Sequence, residues 1–225
     1  MEQLDDAANP RGLAEFIGSE DLPSLSAGTA IATSEGAIPA SWLRAGDLVV
    51  TRDRGLQPVL AVGLVELSRE YLLDNPGNWP DRVEPGALGP GLPSARLVVS
   101  PWQRLLLRGS ELQLHFGLTE ALVAARHLIG WPGIECDMPE AGMADYQILF
   151  ERHEIILADG CWTESLFLDS AGLAALRSDG SPVFARLGAG HGRLARPELQ
   201  EWEAALLTPP AARASSNAGE LRLTA

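Results

Sequence analysis

From Gly28 onward the chain is cut into apolar runs of roughly four to eight residues, separated by Gly, Pro, Asp and Ser, and this pattern limits the fold more than any other feature. Such runs are too short for the amphipathic helices of a bundle and suit strands. Thr29–Thr33, Leu48–Thr51, Val59–Glu66, Arg96–Ser100, Leu105–Arg108, Leu112–Phe116, Leu122–Ala125, Tyr146–Phe150, Glu154–Ala158 and Thr163–Phe167 are the strand candidates. The breaks between them carry turn chemistry. Ser34-Glu35-Gly36, Asp53-Arg54-Gly55 and Ala158-Asp159-Gly160 each place a residue suited to positive φ between apolar runs. Many short strands joined by such turns predict an all-β domain.

The flanks read differently. Residues 1–22 are acidic and mixed, with one weak helical stretch around Leu13 to Ile17, and are expected to be a leader outside the core. Residues 23–175 form the predicted domain, within which the Pro- and Gly-rich Asp74–Ser94 segment is expected to be a long ordered loop or insertion. Residues 176–225 are a C-terminal extension: Pro197–Leu207 has the pattern of one amphipathic helix, and Pro209–Ala225 that of a disordered tail.

The charge balance excludes several partners. The formal net charge is −13, and every basic residue is Arg. Phosphate neutralisation requires clustered basic charge, so neither nucleic acid nor an anionic membrane surface is an expected partner. No apolar run approaches the ~18 residues that span a bilayer. The acidic start Met1-Glu2-Gln3-Leu4-Asp5-Asp6 is no Sec signal, which makes the cytoplasm the default compartment and signal-independent secretion the other route.

Nothing points to a metal or a cofactor. His115, His127, His153 and His191, with Cys136 and Cys161 among them, lack zinc-like spacing. The two cysteines read as reduced structural thiols. Gly188-Ala189-Gly190-His191-Gly192 follows no clear strand and reads as a linker rather than a nucleotide loop. No Gly-x-Ser-x-Gly elbow is present, and no hydrolytic triad can be assembled.

Blocks in a fixed order carry a resemblance. The first is Ser24-Leu25-Ser26-Ala27-Gly28-Thr29-Ala30-Ile31-Ala32-Thr33, followed by Leu43-Arg44-Ala45-Gly46-Asp47-Leu48-Val49. The second runs from Gly86-Ala87-Leu88-Gly89-Pro90-Gly91-Leu92-Pro93 into Leu97-Val98-Val99-Ser100-Pro101. The third is Leu122-Val123-Ala124-Ala125-Arg126-His127-Leu128. The fourth spans Tyr146 to Gly160, with Thr163-Glu164-Ser165 beyond it. Over roughly residues 24–168 the chain resembles bacterial Hint (hedgehog/intein) domain proteins. The resemblance implies a curved, horseshoe-shaped β fold that attacks its own backbone.

Two positions depart from the family pattern. Ser24 stands where the family has a nucleophilic Cys, four residues before Gly28-Thr29. Ser100-Pro101-Trp102-Gln103 occupies the Ser/Thr-x-x-His element, with Gln103 in the His position. A hydroxyl supplies little anion near neutrality, and Gln can hydrogen-bond but cannot carry a proton. Loss of a general acid–base typically costs ~10²–10⁴ in rate.

The implied chemistry is an N–O acyl shift at the Pro23–Ser24 bond, weakened or lost. Ser24 would be the nucleophile, Ser100 and Gln103 would hold or polarise the amide, and His153 would donate the proton. The leader would be the cleaved segment. Splicing is not expected, because the only late Asn, Asn217, has no His beside it. The alternative is a degenerate Hint scaffold without catalysis, serving as a binding or structural module; in that case His127 and His153 are packing residues.

Overall fold

The computed structural model describes residues 22–178, 184–187 and 191–210. The leader up to residue 21, with its helical stretch, and the tail from residue 211 lie outside the described residues. The described strands are β1 (Leu25–Ser26), β2 (Ala30–Thr33), β3 (Gly36–Pro39), β4 (Leu48–Thr51), β5 (Gly55–Pro58), β6 (Ala61–Leu67), β7 (Asp81–Val83), β8 (Leu97–Val99), β9 (Arg104–Arg108), β10 (Glu120–Ala124), β11 (Ile134–Cys136), β12 (Met143–Leu149), β13 (Ile155–Ala158), β14 (Cys161–Glu164) and β15 (Glu198–Leu199). The helices are α1 (Arg69–Asp74), α2 (Ser110–Phe116), α3 (Ser170–Ser178) and α4 (Glu201–Ala204). The fold is all-β, and none of these helices is long and apolar enough to cross a membrane.

The strands form two sheets. One has the order β11-β7-β8-β1-β12-β6; the other runs β15-β10-β9-β14-β13-β2-β4-β5, with β3 attached to β2. The longest pairing joins β12 to β6 in antiparallel register, from Met143 opposite Leu67 to Leu149 opposite Ala61. Along β6 alternate residues are buried, with Ala61 and Val65 inward and Leu64 and Glu66 outward, the two-residue period of a half-buried strand. A continuous core of Leu25, Ile31, Val49, Leu105, Val123 and Ile156, among others, joins the sheets.

Turn chemistry appears where the sequence predicts it. Asp159 and Gly160, with φ of 46° and 75°, close the two-residue hairpin between β13 and β14. Asp159 is useful there for a second reason: its Oδ1 accepts a hydrogen bond from Ala30 N–H on β2.

Three expectations are corrected. Leu112–Phe116 is not a strand but most of α2, which ends at Gly117 in the left-handed region with φ 68°. A strand would place Leu112, Leu114 and Phe116 on one face. The helix instead puts Leu112 and Phe116, four apart, toward the core and leaves Leu114 78% exposed. Pro197–Leu207 is not one helix. Glu198 and Leu199 form β15, parallel to β10, and only Glu201–Ala204 is helical, started by a capping box between Gln200 and Glu203. The Asp74–Ser94 segment is not wholly loop, because Asp81–Val83 forms β7 between β8 and β11.

Both cysteines are free: Cys136 is exposed and Cys161 buried, its thiol pushed up to about 12 by burial.

Candidate active site

Ser24 immediately precedes β1, which lies between β8 and β12 in its sheet. That placement sets its neighbours. Leu25 pairs with Val99 on one side and with Tyr146 on the other, so the next residue back meets the end of β8 and the buried face of β12. Ser24 and Ser100 exchange hydrogen bonds: Ser24 N–H donates to Ser100 Oγ at 3.1 Å, and Ser100 N–H donates to the Ser24 carbonyl at 3.0 Å. The Ser100 hydroxyl in turn donates to the Leu22 carbonyl at 3.4 Å. The amide nitrogen of the Pro23–Ser24 bond is therefore tethered to the side chain that follows β8.

The Ser24 hydroxyl points to a residue that no motif singled out. Ser24 Oγ donates to Asp145 Oδ2 at 2.8 Å, and both residues are buried. Asp145 lies opposite Ser26 on β12, a diagonal neighbour of Ser24 on the same face. Burial pushes its carboxyl up to about 6, against the opposing pull of the Ser24 hydrogen bond. Its second oxygen, Oδ1, is buried with no partner among the described residues. The sequence carried no clear signal for Asp145, which shares its alternation phase with Gln147 and Leu149, while the opposite phase holds Tyr146 and the equally buried Ile148. Its burial, seen only in the structure, is what calls for a partner.

Gln103 and His153 do not join this group. Gln103 Nε2 donates to Thr163 Oγ1 at 2.7 Å and to the Glu164 carbonyl at 2.8 Å, tying the segment just before β9 to β14. Its amide thus faces β14 rather than the Pro23–Ser24 bond. His153 Nδ1 accepts from Ala195 N–H at 3.0 Å, which assigns the ring proton to Nε2, where it meets Glu164 Oε2 at 3.1 Å. Both ring nitrogens are occupied. Glu164 is itself bound by Arg104, whose backbone N–H reaches Oε1 at 2.9 Å and whose Nη1 reaches Oε2 at 2.8 Å. His153 therefore belongs to a buried polar cluster that ties β9, β14 and the segment around Ala195 together.

The other histidines serve structure or face elsewhere. His191 is 1% exposed, and burial, with His153 nearby, pulls its imidazole down to about 4. His115 is on α2, its ring 6.0 Å from that of Phe116. Burial also lowers His127, whose Nδ1 has no partner among the described residues. Among the described residues, no three His, Cys, Asp or Glu side chains converge to hold a metal ion.

Two open sheets form an all-β domain with a buried hydroxyl at the head of a central strand, a carboxylate on that hydroxyl and a second serine on its amide. A model of the Hint domain family matches residues 23–170, and the chain belongs to that family. Similar solved structures include the gp41-1 intein, 14% identical over 63% of this chain and 97% of that chain with a TM-score of 0.36. Another is a bacterial intein-like domain from Clostridium thermocellum, 12% identical over 63% of this chain and 97% of that one, with a TM-score of 0.39. No curated protein matches the chain.

Proposed function

We propose that this Hint domain carries out an N–O acyl shift at its own Pro23–Ser24 bond, slowly, with Ser24 as nucleophile and Asp145 as its base. The observation that carries the proposal is the 2.8 Å hydrogen bond from Ser24 Oγ to Asp145 Oδ2. A hydroxyl nucleophile needs a positioned base, and a carboxyl lifted to about 6 is ionised above that pH yet more basic than an ordinary Asp. In the step, the Ser24 Oγ–H proton passes to Asp145 and Oγ bonds to the Pro23 carbonyl carbon. The Pro23–Ser24 C–N bond then breaks, and the proton ends on the departing Ser24 amine. The Pro23 acyl group is left as an ester on Ser24 Oγ. Ser100 Oγ, holding Ser24 N–H at 3.1 Å, fixes the amide for attack.

Slowness follows from what is missing at the amide. Gln103 is turned to β14 and His153 is tied to Glu164 and Ala195, so neither offers a proton to the leaving nitrogen. The same two contacts favour the alternative, a scaffold without catalysis. One experiment separates the readings: mass spectrometry of the purified chain after prolonged incubation at pH 8, with and without hydroxylamine. The shift predicts hydroxylamine-dependent release of residues 1–23, abolished by Ser24→Ala. A chain that stays intact under both conditions establishes the scaffold.

A further inference from the structure

We propose that residues 191–199 form a strap that mild acid releases, with His153 and His191 as the two proton acceptors that unlock it. The strap lies beyond residues 23–170, the part of the chain that the family model matches, yet it closes one edge of the nine-stranded sheet. β15 pairs in parallel with β10, and Leu122 N–H donates to the Pro197 carbonyl at 2.8 Å. Leu194 and Ala195 pack on Leu106, Leu122 and Ile155, and Leu199 is buried in the main core. Arg196 grips Asp53 with two hydrogen bonds and Glu120 with a third, while Glu198 holds Arg104 at 2.8 Å. Glu198 also lines a cleft shared by Leu22 and Pro23, so release of the strap removes one wall beside the Pro23–Ser24 bond.

Two buried imidazoles meet at this strap. His153 belongs to the domain and its side chain is fully buried; His191 opens the strap and is 1% exposed. His153 Nδ1 accepts from Ala195 N–H at 3.0 Å, so a proton on that nitrogen would set donor against donor at the strap's own anchor. The proton has a place only once Ala195 moves away. Glu164 already faces Nε2 at 3.1 Å and then pairs the imidazolium. Arg104, held by Glu164 and Glu198, stands behind that pair, and the Phe167 ring packs against the imidazole at 5.3 Å between centroids.

His191 faces His153 and the backbone of Phe150 and Glu151. Burial, and then the neighbouring His153, keep the docked ring neutral down to about pH 4, whereas a released His191 in water titrates near its ordinary 6.5. A charge on either ring would also oppose a charge on the other. The docked strap therefore refuses protons that the released strap takes up. Above 6.5 both rings are neutral in either state and the strap stays docked. As pH falls from 6.5 toward 4, the balance shifts toward release with one proton taken up for each histidine.

Amide hydrogen exchange of the full chain, followed by NMR, reads the opening. The Ala195 and Leu122 amides report the strap, because each bonds across its interface. The Leu60 amide, bonded to the Leu149 carbonyl at 2.7 Å, reports the rest of the domain. Divided by the rate of an unprotected amide at the same pH, exchange at Ala195 and Leu122 should rise about fiftyfold from pH 6 to pH 5, and that at Leu60 should not follow. Fiftyfold is about the factor for two histidines that gain ordinary proton affinity only on release. His153→Gln, whose amide can still take Ala195 N–H and meet Glu164, should leave about sevenfold, the factor for one histidine, and so should His191→Gln. The double variant should bring the ratio close to one. The slope of the parent decides even where a variant does not fold: a rise of about sevenfold or less overturns the proposal. A parent-like rise in the double variant also overturns it, by moving the release to the carboxylates. So does exchange at Leu60 that rises in step with Ala195, which would make the change global unfolding.

Discussion

Asp145→Asn offers the most direct check on the site, because it couples stability to chemistry with a defined sign. The Asp145 carboxyl titrates at about 6 in the folded protein, against 3.8 for an ordinary Asp. The native state therefore binds this proton more tightly than the unfolded chain does. The associated stabilisation is complete below the unfolded value and is lost as pH rises from there through 6. A tenfold difference in proton affinity is worth about 1.4 kcal/mol, so ionising Asp145 costs the native state about 3 kcal/mol by pH 8. Asn cannot ionise, yet its side-chain oxygen can still accept from Ser24 Oγ. Urea unfolding of both proteins at pH 4 and pH 8 isolates the difference, since every other titrating group is common to the two. The stability of Asp145→Asn relative to the parent should rise by about 2 kcal/mol between those pH values, because part of the loss has already occurred at pH 4, while hydroxylamine-dependent cleavage falls by ~10²–10⁴. A stability difference that stays flat from pH 4 to pH 8 would refute the buried, raised carboxyl, and with it the case for Asp145 as base.

Gln103→Ala removes two buried hydrogen bonds to β14 and should lower stability by about 2 kcal/mol in urea unfolding, while the cleavage rate at Pro23–Ser24 is unchanged. A loss of cleavage without loss of stability would return Gln103 to the site. His191 is held down at about 4, so its stabilising effect is complete above its ordinary 6.5 and is lost as pH falls through 4. His191→Gln should flatten that acid-side loss in thermal melts between pH 6.5 and 4. Phe150 is fully buried, and Phe150→Ala should cost about 3–5 kcal/mol by urea unfolding without altering the Ser24–Asp145 contact.

Local chemistry was enough for much of the fold. The short apolar runs Val59–Glu66 and Tyr146–Phe150 mark the two strands that form the longest pairing, and Asp159-Gly160 marks the hairpin between β13 and β14, because run length and positive φ are properties of neighbouring residues. The strand expectation failed at Leu112–Phe116, where apolar residues two apart fit a strand and apolar residues four apart fit a helix. Gly109 and the left-handed Gly117 bound the segment, and core packing of Leu112 and Phe116 selects the helix. β7 and β15, of three and two residues, are too short for any pattern of their own; they are strands because an adjoining strand edge receives their backbone.

The site divides along the same line. Ser24 and Ser100 were legible as members of ordered blocks, and the sequence alone showed Ser in place of Cys and Gln in place of His. Which groups meet was decided only in three dimensions. Ser24 and Asp145 are 121 residues apart, and their contact depends on β1 lying between β8 and β12. His153 looked like the available proton donor, but Ala195 and Glu164 occupy both its nitrogens. Sequence determines which functional groups a chain possesses and the local geometry each prefers. Pairing between distant strands determines which of them share a buried space, and burial in turn makes Asp145 a stronger base than an exposed Asp.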